Sequence, residues 1–304
     1  MKVHLHIGVH FTNTTRLLKA VRKNERVYRR HDVIAPPVTA YRAQIDDIVQ
    51  RLNGQPAAPE DSEAFLKTLT AGQTDASGLI MIDERWSGPL EQAFEERMLY
   101  AGIADRVRRV ANVFTGSDVR LSMSIINPAT FVGSLLDKGR AAGQANWFTK
   151  HVPAHEVSWL PCIDRTQEAL PDVPISLWTE EDAPLVWVRI LRHLGDLGDD
   201  VTMRSPLSAV RSMLSHEGSE RLYAYAQKFP PTTTEAFERI ALAFLDKYEQ
   251  VDIVGPAEGI PGWNEDDLEE ITAGYDEDIA ALSKRDGITV IQPQQVAEDL
   301  GLNQ

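Results

Sequence analysis

Val3, Leu5 and Ile7 alternate with Lys2, His4 and His6 and stop at Gly8, the two-residue period of a short strand. From Thr14 the period changes, with Leu17, Leu18 and Val21 at helical spacing, so strand, loop and helix follow one another. Further strands are predicted at Leu79-Ile80-Met81-Ile82, ended by Asp83-Glu84, at 119–126, ended by Asn127-Pro128, and at 173–178. Between the second and third of these, Ile103, Val107, Val110 and Phe114 mark one apolar helical face and leave Arg106, Arg108 and Arg109 to a solvated one. Strands separated by helices predict an α/β fold, a mainly parallel sheet flanked by helices. Its ligand crevice belongs beyond the carboxyl ends of the strands, where Gly8, Asp83, Asn127 and Thr179 fall.

Residues 55–62, rich in Pro and Ala, read as a surface connection, and so does Phe229-Pro230-Pro231. The second divides the chain into a core, 1–230, and a mainly helical C-terminal extension, 231–304, packed on it. Within the extension Ala236, Ile240, Ala243 and Phe244 predict an amphipathic helix and 255–262 a loop. Asn264 is placed to cap an acidic helix ahead of Glu265, Asp266 and Asp267.

Charge and composition narrow the function. A net charge of -14 disfavours nucleic acid as a partner, because a duplex is itself a dense line of negative charge. It leaves room for a small anionic ligand, since backbone N–H groups at a helix N-terminus make a local positive site. Cys162 is the single cysteine, so an intrachain disulfide and a cysteine-rich zinc site are both excluded, and it reads as a small core residue. No long apolar leader precedes Lys2 and no apolar run approaches membrane-spanning length, which predicts a cytoplasmic protein with no membrane partner.

The candidate chemistry lies in His6-Ile7-Gly8-Val9-His10-Phe11-Thr12-Asn13-Thr14-Thr15, where a strand becomes a helix and backbone amides can face an anion. No Gly-Lys-Ser/Thr tripeptide closes this loop, so it is not a Walker A loop and a nucleoside-triphosphate hydrolase or kinase is disfavoured. His4 and His6 share one strand face and His10 follows, but no fourth ligand stands out and no metal site is assigned. Glu84, at a strand end, suits a general base that takes a proton from an acceptor hydroxyl, with Asp83 beside it and His151 and His155 further off. The plainer role for Asp83 and Glu84 is to cap the next segment or pair with Arg85. Trp147, Trp159 and Trp178 read as core or cleft walls.

The loop resembles the H-I-G-x-H-K-T-G-T-T opening of bacterial sulfotransferase-like proteins, matching it at His6, Ile7, Gly8, His10, Thr12, Thr14 and Thr15. The resemblance continues through Ile82-Asp83-Glu84-Arg85, Ile126-Asn127-Pro128-Ala129-Thr130-Phe131 with Ser134, Ser158-Trp159 and Leu177-Trp178-Thr179-Glu180-Glu181-Asp182, and fades in the last third. It implies a P-loop sulfotransferase-like fold that moves a sulfuryl group from 3′-phosphoadenosine 5′-phosphosulfate, PAPS, to a hydroxyl or amine on a small-molecule or glycan acceptor. On that resemblance Gly8, Val9, His10, Phe11, Thr12, Asn13, Thr14 and Thr15 face the 5′-phosphosulfate and Ser134 the 3′-phosphate, with Glu84 and His10 as catalytic candidates.

Three positions depart from the pattern. Phe11 stands for the loop Lys, Asn13 for a Gly, and Ile126 for the Arg that clamps the 3′-phosphate. Losing one positioned donor to the leaving oxygen costs on the order of 100- to 1000-fold in rate. His10, Arg16 and Lys19 near the loop, and Lys138 or Arg140 after Ser134, are the cations available to compensate. The alternative function is a noncatalytic homologue whose cleft has been repurposed for another ligand or a protein surface.

Overall fold

The computed structural model of the chain describes residues 1–73, 75–95, 98–141, 157–231, 233–249, 260 and 263–294. The elements, in order, are β1 (Lys2–Ile7), α1 (Thr14–Lys23), α2 (Glu25–Arg29), β2 (Val33–Ile34), α3 (Arg42–Leu52), α4 (Pro59–Leu69) and β3 (Gly78–Asp83). A small hairpin of β4 (Phe94–Glu95) and β5 (Met98–Leu99) leads to α5 (Ile103–Ala111), β6 (Asp118–Ile125), α6 (Pro128–Ala141), α7 (Leu160–Ala169) and β7 (Ile175–Thr179). The remainder comprises α8 (Trp187–Leu194), α9 (Ser208–Arg211), α10 (His216–Lys228), α11 (Thr234–Tyr248), α12 (Glu265–Leu282) and β8 (Ile288–Val290).

Six strands form one sheet in the order β2-β3-β1-β6-β7-β8, and every pair in it is parallel. Ile7 pairs with Asp83 on one side and Met123 on the other, and Ile125 with Thr179, so the strands' carboxyl ends share one edge. The connection from β1 leads toward β2 while that from β6 leads the other way, toward β7. The crevice between β1 and β6 is therefore the topological switch point, where parallel α/β sheets place ligands.

The two faces of the sheet bury separate cores. Val3, Leu5, Ile7, Leu79, Met81, Leu121 and Met123 pack with apolar residues of α3 to α7 and α12. Ile80, Ile82 and Trp178 pack with those of α1, α2 and α8 to α11. Burial on both faces changes the reading of β1, whose polar side is also interior: His4 and His6 are buried. His6 stacks on Trp178 at 5.1 Å and its Nδ1 shares a hydrogen bond of 3.0 Å with Ser122 Oγ, while His4 meets the ring edge of His193. Among the described residues no group of three or more His, Cys, Asp or Glu is arranged to hold a metal.

Several local expectations shift. Only 55–58 form the predicted connection, because Pro59 opens α4 at a position where its missing N–H costs nothing. Arg106 is half-buried and donates from Nη1 to the Ser87 carbonyl at 3.1 Å, whereas Arg108 and Arg109 both hold Asp105 at 2.6 Å on the surface. Residues 231–304 supply α11 and α12 and also the edge strand β8, paired with β7. Asn264 caps α12 through a reciprocal pair with Asp267. Of the predicted 255–262 loop, all but residue 260 lies outside the described residues, as do Trp147, His151 and His155. Among the described residues no helix is long and apolar enough to cross a membrane.

Candidate functional site

The loop leaving β1 is held by its neighbours before it meets any ligand. Gly8 is required by a close backbone approach: a Cβ there would sit 2.5 Å from Glu84 Cα and 3.0 Å from Glu84 N. Its N–H donates to the Asp83 carbonyl at 3.2 Å. Val9 turns its side chain into the core, and its carbonyl accepts from both Thr12 N–H, at 3.3 Å, and Thr12 Oγ1, at 2.7 Å. The Thr12 hydroxyl proton is thus committed inside the loop. Thr14 is buried as α1 begins, and Thr15 is exposed.

Asp83 is structural. Its carboxylate is fully buried, accepts from Arg42 Nε and Nη2 at 2.8 and 2.9 Å, and caps the 3₁₀ turn Glu84–Ser87 by accepting from Arg85 N at 2.9 Å. Glu84, one residue on, is exposed and free of that ion pair. It lies close enough to His10 to favour the imidazolium, as does Glu91, while partial burial acts more strongly and lowers the His10 pKa overall. His10 N donates to Tyr100 Oη at 2.9 Å, and His10 Nδ1 shares a second hydrogen bond with the same oxygen, also at 2.9 Å. Nδ1 is therefore engaged, and Nε2 is the ring nitrogen left to act on a ligand. The Tyr100 phenol is itself pushed above its usual range by burial.

Phe11 sits at φ 66° and Tyr100 at φ 48°, both left-handed conformations that are strained for aromatic residues. Both rings lie in one cluster. Phe11 meets Phe131 at 5.4 Å, Phe131 meets Tyr100 and Trp159 at 5.9 and 5.6 Å, and His10 stacks on Tyr100 at 5.9 Å. Phe131 belongs to α6, which Asn127 starts by accepting Ala129 N–H on its side chain at 2.9 Å. Ser134 lies on α6 one turn beyond Phe131 and is half-buried. Lys138 is exposed a turn further on. The Ile126 segment and the 8–15 loop therefore meet through aromatic rings at the switch point. Ile126 itself is a core residue, 5% exposed, and its carbonyl accepts from Trp159 Nε1 at 2.7 Å.

The loop's other neighbour is acidic. Asn13 precedes α1 but makes no cap with its side chain; its Nδ2 donates instead to Glu180 Oε1. Glu180 Oε2 accepts from Ser124 Oγ at 2.9 Å, fixing the carboxylate from two sides. Arg16, in the first turn of α1, is made less basic by partial burial, an effect Glu180 opposes. Glu181 accepts from Asn127 N–H at 2.8 Å and from Tyr275 Oη at 3.3 Å, bringing α12 to the same rim. A protein carboxylate thus stands beside Asn13 at the start of α1, with Arg16 of the first turn near it.

Sequence reading singled out the loop, Glu84 and Ser134 but gave no role to Tyr100, Ser124 or Glu180. Glu180 had a visible signal, an acidic triplet directly after a buried strand; Tyr100 had none. Comparison of the chain with protein-family models, curated proteins and solved structures finds no match.

Proposed function

We propose that this chain is a sulfotransferase-like protein whose cleft at the β1/β6 switch point has been repurposed. It binds a neutral or cationic ligand in place of PAPS and transfers no sulfuryl group. The observation that carries this reading is the Glu180 carboxylate bonded to Asn13 at the start of α1. An anion entering the loop would meet a fixed negative charge where the resemblance calls for donors.

The residues present do not fit PAPS. Phe11 offers an aromatic ring where an ammonium would stabilise the leaving oxygen, and that ring is packed on Phe131. Ile126 is core, so no side chain at that position reaches a 3′-phosphate. Ser134 alone has little to hold a dianion with, because charge-assisted, bidentate contacts supply most of such binding. What the loop does offer is the half-buried Phe11 ring backed by the buried Phe131, the His10 imidazole fixed by Tyr100, and a rim containing Glu180 and Glu181. That combination suits a ring-bearing or amine-bearing ligand.

Sulfuryl transfer keeps one observation in its favour, the exposed Glu84, whose charge acts on the His10 ring and which is open to solvent as a general base must be. Calorimetric titration with adenosine 3′,5′-bisphosphate, the product nucleotide, separates the two readings. The expected result is no saturable heat and no sulfuryl transfer from PAPS. Micromolar binding, or transfer to any acceptor that is lost in Glu84→Gln, would overturn the proposal.

A further inference from the structure

At the opposite, amino-terminal edge of the sheet lies a cavity of about 450 Å³, walled by the starts of β1, β3 and β6, the end of α2 and the turn after α8. Its wall is polar and rich in cations: Lys2, Arg30 and Arg120 face it, with Asp32 and Asp196 as the carboxylates. In a chain of net charge -14 three basic side chains gather here, against Asp32, Asp196 and, through Arg120, Asp118. Lys2 and Arg120 converge on one group. Lys2 Nζ and Arg120 Nη1, the latter at 3.1 Å, both bond the Asp196 carboxylate, and Arg120 Nη2 reaches Asp118 at 3.1 Å. Asp196 is carried on a tight turn at φ 52°.

His4 lines the cavity but is only 5% exposed, and its Nε2, like Arg120 Nε, has no hydrogen-bond partner and is buried away from the open space. The volume is many times the roughly 30 Å³ share of one water. Burial and the neighbouring His193, His6 and Arg120 keep the His4 ring neutral, so it adds no charge to the wall.

We propose that this cavity is a second binding site, for a compact oxyanion of the phosphate or carboxylate class. Arg120 and Lys2 hold the anion, His4 lies in the wall beside them, and Asp196 occupies the cation pair when the site is empty. Because Asp196 competes for the same two cations, its charge sets the affinity. The site makes no use of the 8–15 loop and stands or falls apart from the function proposed for it.

Titration of the full chain with sodium phosphate against sodium chloride at constant ionic strength, with malonate in a parallel arm, tests this when followed by imidazole nitrogen NMR of His4 and His193. A saturable displacement of the His4 signals is expected in the wild type, several-fold tighter in Asp196→Asn and lost in Arg120→Met. Arg120→Lys, which keeps the charge but not the fork, should bind more weakly than the wild type. A response to phosphate alone or malonate alone assigns the oxyanion class. The proposal is overturned if neither probe moves His4 saturably in the wild type and Asp196→Asn, which would leave water as the occupant. It is equally overturned if folded Arg120→Met responds like the wild type. Should Arg120→Met not fold, the absence of tighter binding in Asp196→Asn overturns it.

Discussion

Replacing Glu180 with glutamine removes one negative charge and almost no volume from a side chain that bonds Asn13 and Ser124. The amide oxygen still accepts from Asn13 and the amide NH2 can donate to Ser124 Oγ, so both bonds lose their charge assistance, together with the interaction of the carboxylate with the α1 dipole. For a half-buried group these come to about 1–2 kcal/mol. At roughly 2–4 °C per kcal/mol for a chain of this size, the melting temperature in chloride should fall by about 2–8 °C. The gain appears with anions. A dianion docked about 4 Å from Glu180 pays about 4 kcal/mol per unit charge at an effective dielectric of about 20. Solvent screening reduces this to roughly 1–2 kcal/mol, about tenfold in affinity. Thermal unfolding in chloride and in sulfate at matched ionic strength measures both effects. Sulfate stabilises folded chains generally, so the informative quantity is the extra sulfate-dependent rise in Glu180→Gln over the wild type. Equal rises in the two proteins, with equal affinity for adenosine 3′,5′-bisphosphate, would refute the argument that Glu180 holds the anion position.

Gly8→Ala forces a Cβ to 2.5 Å from the Glu84 backbone, so it should lower stability by about 1–3 kcal/mol, read as a lower denaturant midpoint with unchanged slope. Ile126→Arg puts a cation into a core position that is 5% exposed, and instead of restoring a phosphate clamp it should destabilise by roughly 3 kcal/mol or more with no gain in nucleotide affinity by calorimetry. Burial lowers the His6 pKa to about 3, below the unfolded value near 6.5, so its contribution to stability is full above pH 6.5 and is lost as pH falls toward 3. Unfolding free energies measured across that window should decline by up to about 1.4 kcal/mol per pH unit from this group, and His6→Gln should flatten the decline.

The long strands were legible because their pattern is local. Alternation at Val3, Leu5 and Ile7 and the run Leu79 to Ile82 place β1 and β3 to within a residue, and a buried apolar strand announces itself wherever it sits. Gly8 and the start of α1 at Thr14 were legible for the same reason, as a change of period across a glycine. β2, two residues long, and β8, three, were not; they exist by pairing with β3 and β7, and no window that short carries a period. Tertiary structure also decided which polar residues are interior. His4 and His6 alternate as if one face of β1 met water, yet α8 and the strands beside β1 cover that face. The character of the candidate site was decided in the same way. Asn13 and Glu180 lie 167 positions apart, and Phe11 meets Phe131 across the switch point. Composition and spacing name the residues that can carry charge, but a charge matters through what stands within a few ångströms of it, and that distance is set by how the strands are ordered in the sheet.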